Sequence, residues 1–111
     1  ASRLPTRVAP LGRTTEMPAP NTRATTGTTS SVADLGTVQT LLAAREGRLR
    51  CSFYNDSTVD LYLKPGPNAS TTDFTVKVAA GGYFEDVGYV GIWTGVWASD
   101  ASGSCRVTEY V

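Results

Sequence analysis

From residue 48 onward, polar and apolar positions alternate with a period of two. Leu49, Cys51 and Phe53 alternate with Arg48, Arg50, Ser52 and Tyr54. This predicts a half-buried strand with its arginines turned outward. Asn55-Asp56-Ser57-Thr58 has turn composition, and Val59, Leu61 and Leu63 then alternate with Asp60, Tyr62 and Lys64. The two runs together predict a hairpin. Pro65-Gly66-Pro67-Asn68 ends the second strand, because proline cannot donate to a ladder. Phe74, Val76 and Val78 alternate with Thr75 and Lys77; Gly81-Gly82 turns the chain; Tyr83 to Val87 gives another strand, closed by Gly88. The run Tyr89 to Trp97 is apolar on both faces. Such a strand is either central in a sandwich or covered by another subunit. After the polar loop Ser99 to Ser104, Cys105, Val107 and Glu109 alternate with Arg106, Thr108 and Tyr110. Upstream, Gly36 and Gly47 bracket a stretch in which Leu41 to Glu46 suit a short helix and Thr37, Val38 and Thr40 suit a strand. It is read as a strand.

Short strands separated by turn signals every eight to twelve residues or so predict an all-β fold, a small antiparallel β-sandwich or barrel over residues 37–111. A body of this size buries only about 60% of its unfolded surface. Oligomerisation or docking would supply further burial, so a homo-oligomer is expected, packed through the Tyr89 to Trp97 region.

Composition divides the chain. Residues 1–30 hold four of the six prolines and eight threonines, and every aromatic residue lies from Phe53 onward. Leu4, Val8, Leu11 and Met17 are scattered singly. Such a segment cannot offset its own ordering entropy. It carries Arg3, Arg7, Arg13 and Arg23 against Glu16, a net of 4 − 1 = +3, which leaves 0 − 3 = −3 for the rest of a chain of zero net charge. It is either a solvated tail or an arm ordered on a partner. Residues 1–36 are read as an extended Pro/Thr-rich arm preceding the body, with the four arginines as partner contacts.

The chemistry available is narrow. The chain has no histidine, which removes the usual general base and the commonest metal ligand. Glu85 and Asp86 are adjacent, so on a strand they point to opposite faces and cannot flank one bond. No enzymatic activity is expected. Cys51 and Cys105 are the only cysteines; a disulfide is geometrically possible, but buried free thiols are the favoured reading, and two cysteines alone make no zinc site. No phosphate-binding glycine loop occurs, so no cofactor is expected. Arg45, Arg48 and Arg50 cluster around Glu46 and read as a solvated edge, not a nucleic-acid groove. No membrane span is present. Asn55-Asp56-Ser57 and Asn68-Ala69-Ser70 fit the glycosylation pattern but read as turn chemistry. The start at Ala1, without a secretory leader, is what a trimmed initiator methionine would give. Trp93 and Trp97 are four apart and share a strand face, which Tyr89 joins if the strand is unbroken. Such a stripe is core or subunit interface, with sugar stacking as the alternative.

The series Phe53-Tyr54-Asn55-Asp56-Ser57-Thr58, Leu61-Tyr62-Leu63-Lys64, Phe74-Thr75-Val76-Lys77, Gly81-Gly82-Tyr83-Phe84-Glu85, Tyr89-Val90-Gly91-Ile92, Gly95-Val96-Trp97 and Arg106-Val107-Thr108-Glu109-Tyr110 resembles small β-structured virion proteins of tailed bacteriophages, of the head-decoration and head-fibre type. The resemblance spans residues 37–111 and rests on turns and strand faces. It implies a virion structural protein, assembled in the host cytoplasm. The expectation is a capsid decoration (cement) protein that docks on the major capsid protein or another virion protein through its arm. A head-fibre, collar or tail component is the first alternative. A carbohydrate-binding module using Tyr89, Trp93 and Trp97 is the second.

Overall fold

The computed structural model describes residues 23–100 and 102–111. Their strands are β1 (Gly27–Ala33), β2 (Gln39–Leu42), β3 (Arg50–Ser57), β4 (Leu61–Pro65), β5 (Val76–Val78), β6 (Tyr83–Val87), β7 (Trp93–Trp97) and β8 (Gly103–Tyr110). They form two four-stranded antiparallel sheets, ordered β1-β8-β3-β6 and β2-β7-β4-β5. The fold is all-β, as the period of two requires. The segment 37–44 supplies strand β2.

The inward positions of each strand are the apolar ones. Cys51 and Phe53 from β3, Cys105 and Val107 from β8, Leu61 and Leu63 from β4, and Trp93 and Trp97 from β7 meet between the sheets with Leu41 and Val78. Gly95 faces the same core. A Cβ there would lie 2.8 Å from Leu41 Cδ1 and 3.1 Å from Leu61 Cδ1, so a larger residue would force the leucine side chains to shift.

Three sequence expectations are corrected. Strands β3 and β4 do not form a hairpin; they lie in opposite sheets, and only β4–β5 joins consecutive strands within one sheet. The intervening Asp56 to Asp60 contains no glycine for a tight primed turn, and the chain instead crosses over the core. Asn55 belongs to β3, not to a turn, and its side chain is fully buried. Residues 27–33, assigned to the arm, form a complete strand in register with β8 from Gly27↔Tyr110 to Ala33↔Ser104. Its Thr, Ser and Val residues favour extended backbone, but only Val32 is half-buried, so no apolar alternation announces it.

The two cysteines are free and buried. Cys51 pairs with Glu109 and Cys105 with Asn55, four positions apart along the β3–β8 ladder. At about 3.3 Å per residue that is roughly 13 Å, beyond the ~7 Å Cα limit for a disulfide. Burial pushes both thiols up to about 12 from 9.0. In the native state neither is expected to react with a thiol reagent at neutral pH, whereas both react after unfolding; rapid native-state labelling would contradict this placement. A raised native value means that the stabilisation is present below the ordinary thiol pKa. It is lost as pH rises from about 9 toward 12, at up to about 1.4 kcal/mol per thiol per pH unit. Urea midpoints measured across that range should fall accordingly.

Candidate interaction surface

No cleft or cavity is found among the described residues, and no group of three or more acidic or cysteine side chains among them could hold a metal ion. The most chemically varied surface is the outer face of the β1-β8-β3-β6 sheet. Alternation turns Tyr83, Glu85 and Val87 of β6 outward, together with Arg50, Ser52 and Tyr54 of β3 and Arg106, Thr108 and Tyr110 of β8. The registers Tyr83↔Tyr54↔Arg106 and Val87↔Arg50↔Tyr110 set these side chains in two rows across the sheet.

Tyr83 and Val87 are 61% and 64% exposed, and Tyr54 is 39% exposed. The Arg50 guanidinium stands 4.7 Å from the Tyr110 ring centre, a cation–π arrangement. Arg106 Nε donates to Asp56 Oδ2 at 3.1 Å, and both groups are well exposed. Such a pair adds little to stability. The face thus presents aromatic, aliphatic and cationic groups side by side, as protein interfaces do.

At one end of the sandwich, Arg48 turns inward. Its side chain is inaccessible to solvent, which corrects the expectation of a solvated arginine edge. Nε donates to Glu109 Oε2 at 2.8 Å; Nη1 donates to the carbonyls of Gly91 at 2.8 Å and Tyr89 at 3.1 Å; Nη2 donates to the Ala43 carbonyl. Arg45 Nη1 adds 2.9 Å to Glu109 Oε1 from the exposed side. Burial pushes the Glu109 carboxyl up, but the hydrogen bonds and positive charges of Arg48 and Arg45 outweigh it and hold the group below its ordinary value. This cluster ties the strand β8 carboxylate to the loops on either side of it.

The expected aromatic platform is not a platform. Trp93 and Trp97 are each 2% exposed and form part of the core. Trp93 packs against Phe53 at 5.0 Å and Phe84 at 6.1 Å, and Tyr89, from the loop before β7, meets it edge-on at 5.6 Å. Trp97 Nε1 donates to Asn55 Oδ1 at 3.0 Å. Both tryptophans therefore lie out of reach of a sugar ring or a second subunit, which removes the sugar-stacking alternative and the expected oligomer contact through these two rings. Glu85 and Asp86 do face opposite sides, Glu85 exposed and Asp86 half-buried. Arg23 is exposed; Arg3, Arg7 and Arg13 lie outside the described residues.

Tyr54, Tyr83, Val87, Arg50 and Arg106 were missed as surface candidates. Their parity opposite Phe53, Phe84 and Val107 puts them outside, but which strands lie beside one another decides which of them meet. No protein-family model matches the chain, and no curated protein is similar enough to count as a relative.

Proposed function

We propose that this chain is a non-enzymatic structural protein of a tailed-bacteriophage virion, a capsid decoration (cement) protein that stabilises the shell by non-covalent docking. The observation that carries the reading is the way the basic Pro/Thr segment meets the body. Thr25 and Thr26 donate to the Val111 carbonyl at 2.8 and 3.0 Å, so the segment joins the sandwich at its β1 edge, on the sheet whose outer face carries Tyr54, Tyr83, Arg50 and Arg106. A basic Pro/Thr-rich sequence leading into that edge and a mixed aromatic–cationic sheet face suit attachment to a protein lattice, where many weak contacts add up. The arginines of the segment complement acidic groups on such a lattice. The resemblance of residues 37–111 to small β-structured virion proteins supports the same assignment.

The test is stoichiometry in purified particles, by quantitative mass spectrometry against the major capsid protein. A ratio near one, or near one to three, is the expected result. A few copies per hundred capsid subunits would move the chain to a collar, head-fibre or tail position. Absence from particles would overturn the reading.

A further inference from the structure

Each sheet has two edges, and three of the four are guarded against pairing with another strand. Strand β6 contains Glu85 and Asp86, so a second copy laid beside it brings like charges together. Strand β5 has only three residues, with Lys77 at its centre. Strand β2 has four, and its register is irregular between Thr40 and Leu42. Charge, brevity and bulges are the usual devices by which a sheet edge is blunted.

Strand β1 has none of them. Its seven residues, Gly-Thr-Thr-Ser-Ser-Val-Ala, carry no charge and no proline, and they run in unbroken register along β8. Thr26 and Val111 exchange both backbone hydrogen bonds, at 3.0 and 2.9 Å, and Asp34 N–H donates to the Gly103 carbonyl at 3.1 Å. Antiparallel alternation therefore turns the N–H and C=O groups of Thr28, Ser30 and Val32 toward β8. Those of Gly27, Thr29, Ser31 and Ala33 point away from it, along an edge that no other described strand pairs.

The geometry points to β1 as a self-association edge that pairs antiparallel with β1 of a second copy of this chain. A two-fold axis through Ser30 sets Thr29 opposite Ser31, and Gly27 opposite Ala33, so that every outward backbone group meets a partner. The strand meets itself without any like-charge contact, which β5 and β6 cannot do. The chain's own leading segment is a poor occupant. Pro18 and Pro20 fall in the stretch that would have to fold back beside β1, and proline has no N–H to give a ladder. Pairing joins two four-stranded sheets into one continuous sheet, a symmetric dimer that requires no other component.

Sedimentation velocity of the full chain over about 1 to 100 µM should show a concentration-dependent dimer. Ser31→Pro deletes an outward N–H and leaves the β8 ladder whole. It should weaken association at least ten-fold while leaving the circular dichroism spectrum unchanged. Ser30→Lys sets two ammonium groups face to face at the axis and should weaken the dimer in dilute salt, with recovery at high ionic strength. A chain that stays monomeric throughout, or a dimer indifferent to Ser31→Pro, would overturn the proposal.

Discussion

Asn55→Ala is expected to abolish cooperative folding of the sandwich or to leave it barely stable. The Asn55 amide is fully buried and saturated: Nδ2 donates to the Val59 carbonyl at 2.8 Å and to the Val78 carbonyl at 3.0 Å, and Oδ1 accepts from Trp97 Nε1 at 3.0 Å. Its backbone is engaged as well, donating to the Gly82 carbonyl at 2.9 Å and accepting from Gly81 N–H at 2.8 Å. One residue thereby ties the end of β3 to the crossover, to the end of β5, to the turn before β6 and to the indole of β7. Alanine leaves two carbonyls and an indole N–H buried without partners. Each such orphan costs about 1–3 kcal/mol, so the sum of roughly 3–9 kcal/mol, before any cavity, is comparable to the whole stability of a small domain. Urea unfolding followed by tryptophan fluorescence measures it; a loss below about 1 kcal/mol would show that the network is dispensable.

Asn55→Asp sharpens the same point. A carboxylate keeps the acceptor for Trp97 but cannot donate to Val59 and Val78. It meets two carbonyl oxygens at close range in a buried site, so the native state should hold the new acid protonated. A native pKa raised above the unfolded value gives stability that is present below about pH 4 and lost as pH rises. The Asp variant should therefore tolerate more urea near pH 4 than at pH 7.

What the sequence discloses follows from which forces are local. The period of two in Leu49 to Phe53, Val76 to Val78 and Cys105 to Glu109 reports burial on one face, and each of these runs lies in or leads into a strand. Strand partnership is not local. Asn55-Asp56-Ser57-Thr58 has the composition of a turn whether the next strand returns beside the first or crosses to the other sheet, and here it crosses. Strand β1 is held chiefly by its backbone ladder with β8, so its side chains carry no apolar pattern to read. The stripe of Trp93 and Trp97 was legible as a shared face, but only the opposing sheet decides that this face is inside. For the same reason the candidate surface emerged from pairing: Tyr54 and Tyr83 are twenty-nine residues apart and become neighbours through the β3–β6 register. Arg48 was the least legible residue, since its acceptors are backbone carbonyls of Ala43, Tyr89 and Gly91, and carbonyls have no sequence signature.

Arg48→Met should destabilise the fold by about 3–5 kcal/mol at pH 7, the usual cost of removing one partner from a buried ion pair. Methionine keeps the apolar stem but strands the three carbonyls and leaves Glu109 to the exposed Arg45 alone. The pH dependence separates the charge from the carbonyls. In the wild type, Glu109 sits below its ordinary value, so its contribution is present above the unfolded carboxyl pKa and disappears as pH falls through the native one. Without Arg48, only Arg45 opposes the effect of burial on Glu109, so the carboxyl is lowered less and the variant has less to lose when it is protonated. The stability gap between the two proteins should therefore narrow as pH falls below the ordinary carboxyl value of 4.5, without closing, because the carbonyls of Ala43, Tyr89 and Gly91 stay unpaired at every pH. Arg48→Lys should recover only part of the loss, since one ammonium cannot follow the planar spread of a guanidinium across Glu109 on β8 and carbonyls in the loops after β2 and before β7. A gap independent of pH would assign the cost to the carbonyls alone. A gap below about 1 kcal/mol would mean that water replaces the guanidinium, and that the end of the sandwich is closed by the strands themselves and not by this arginine.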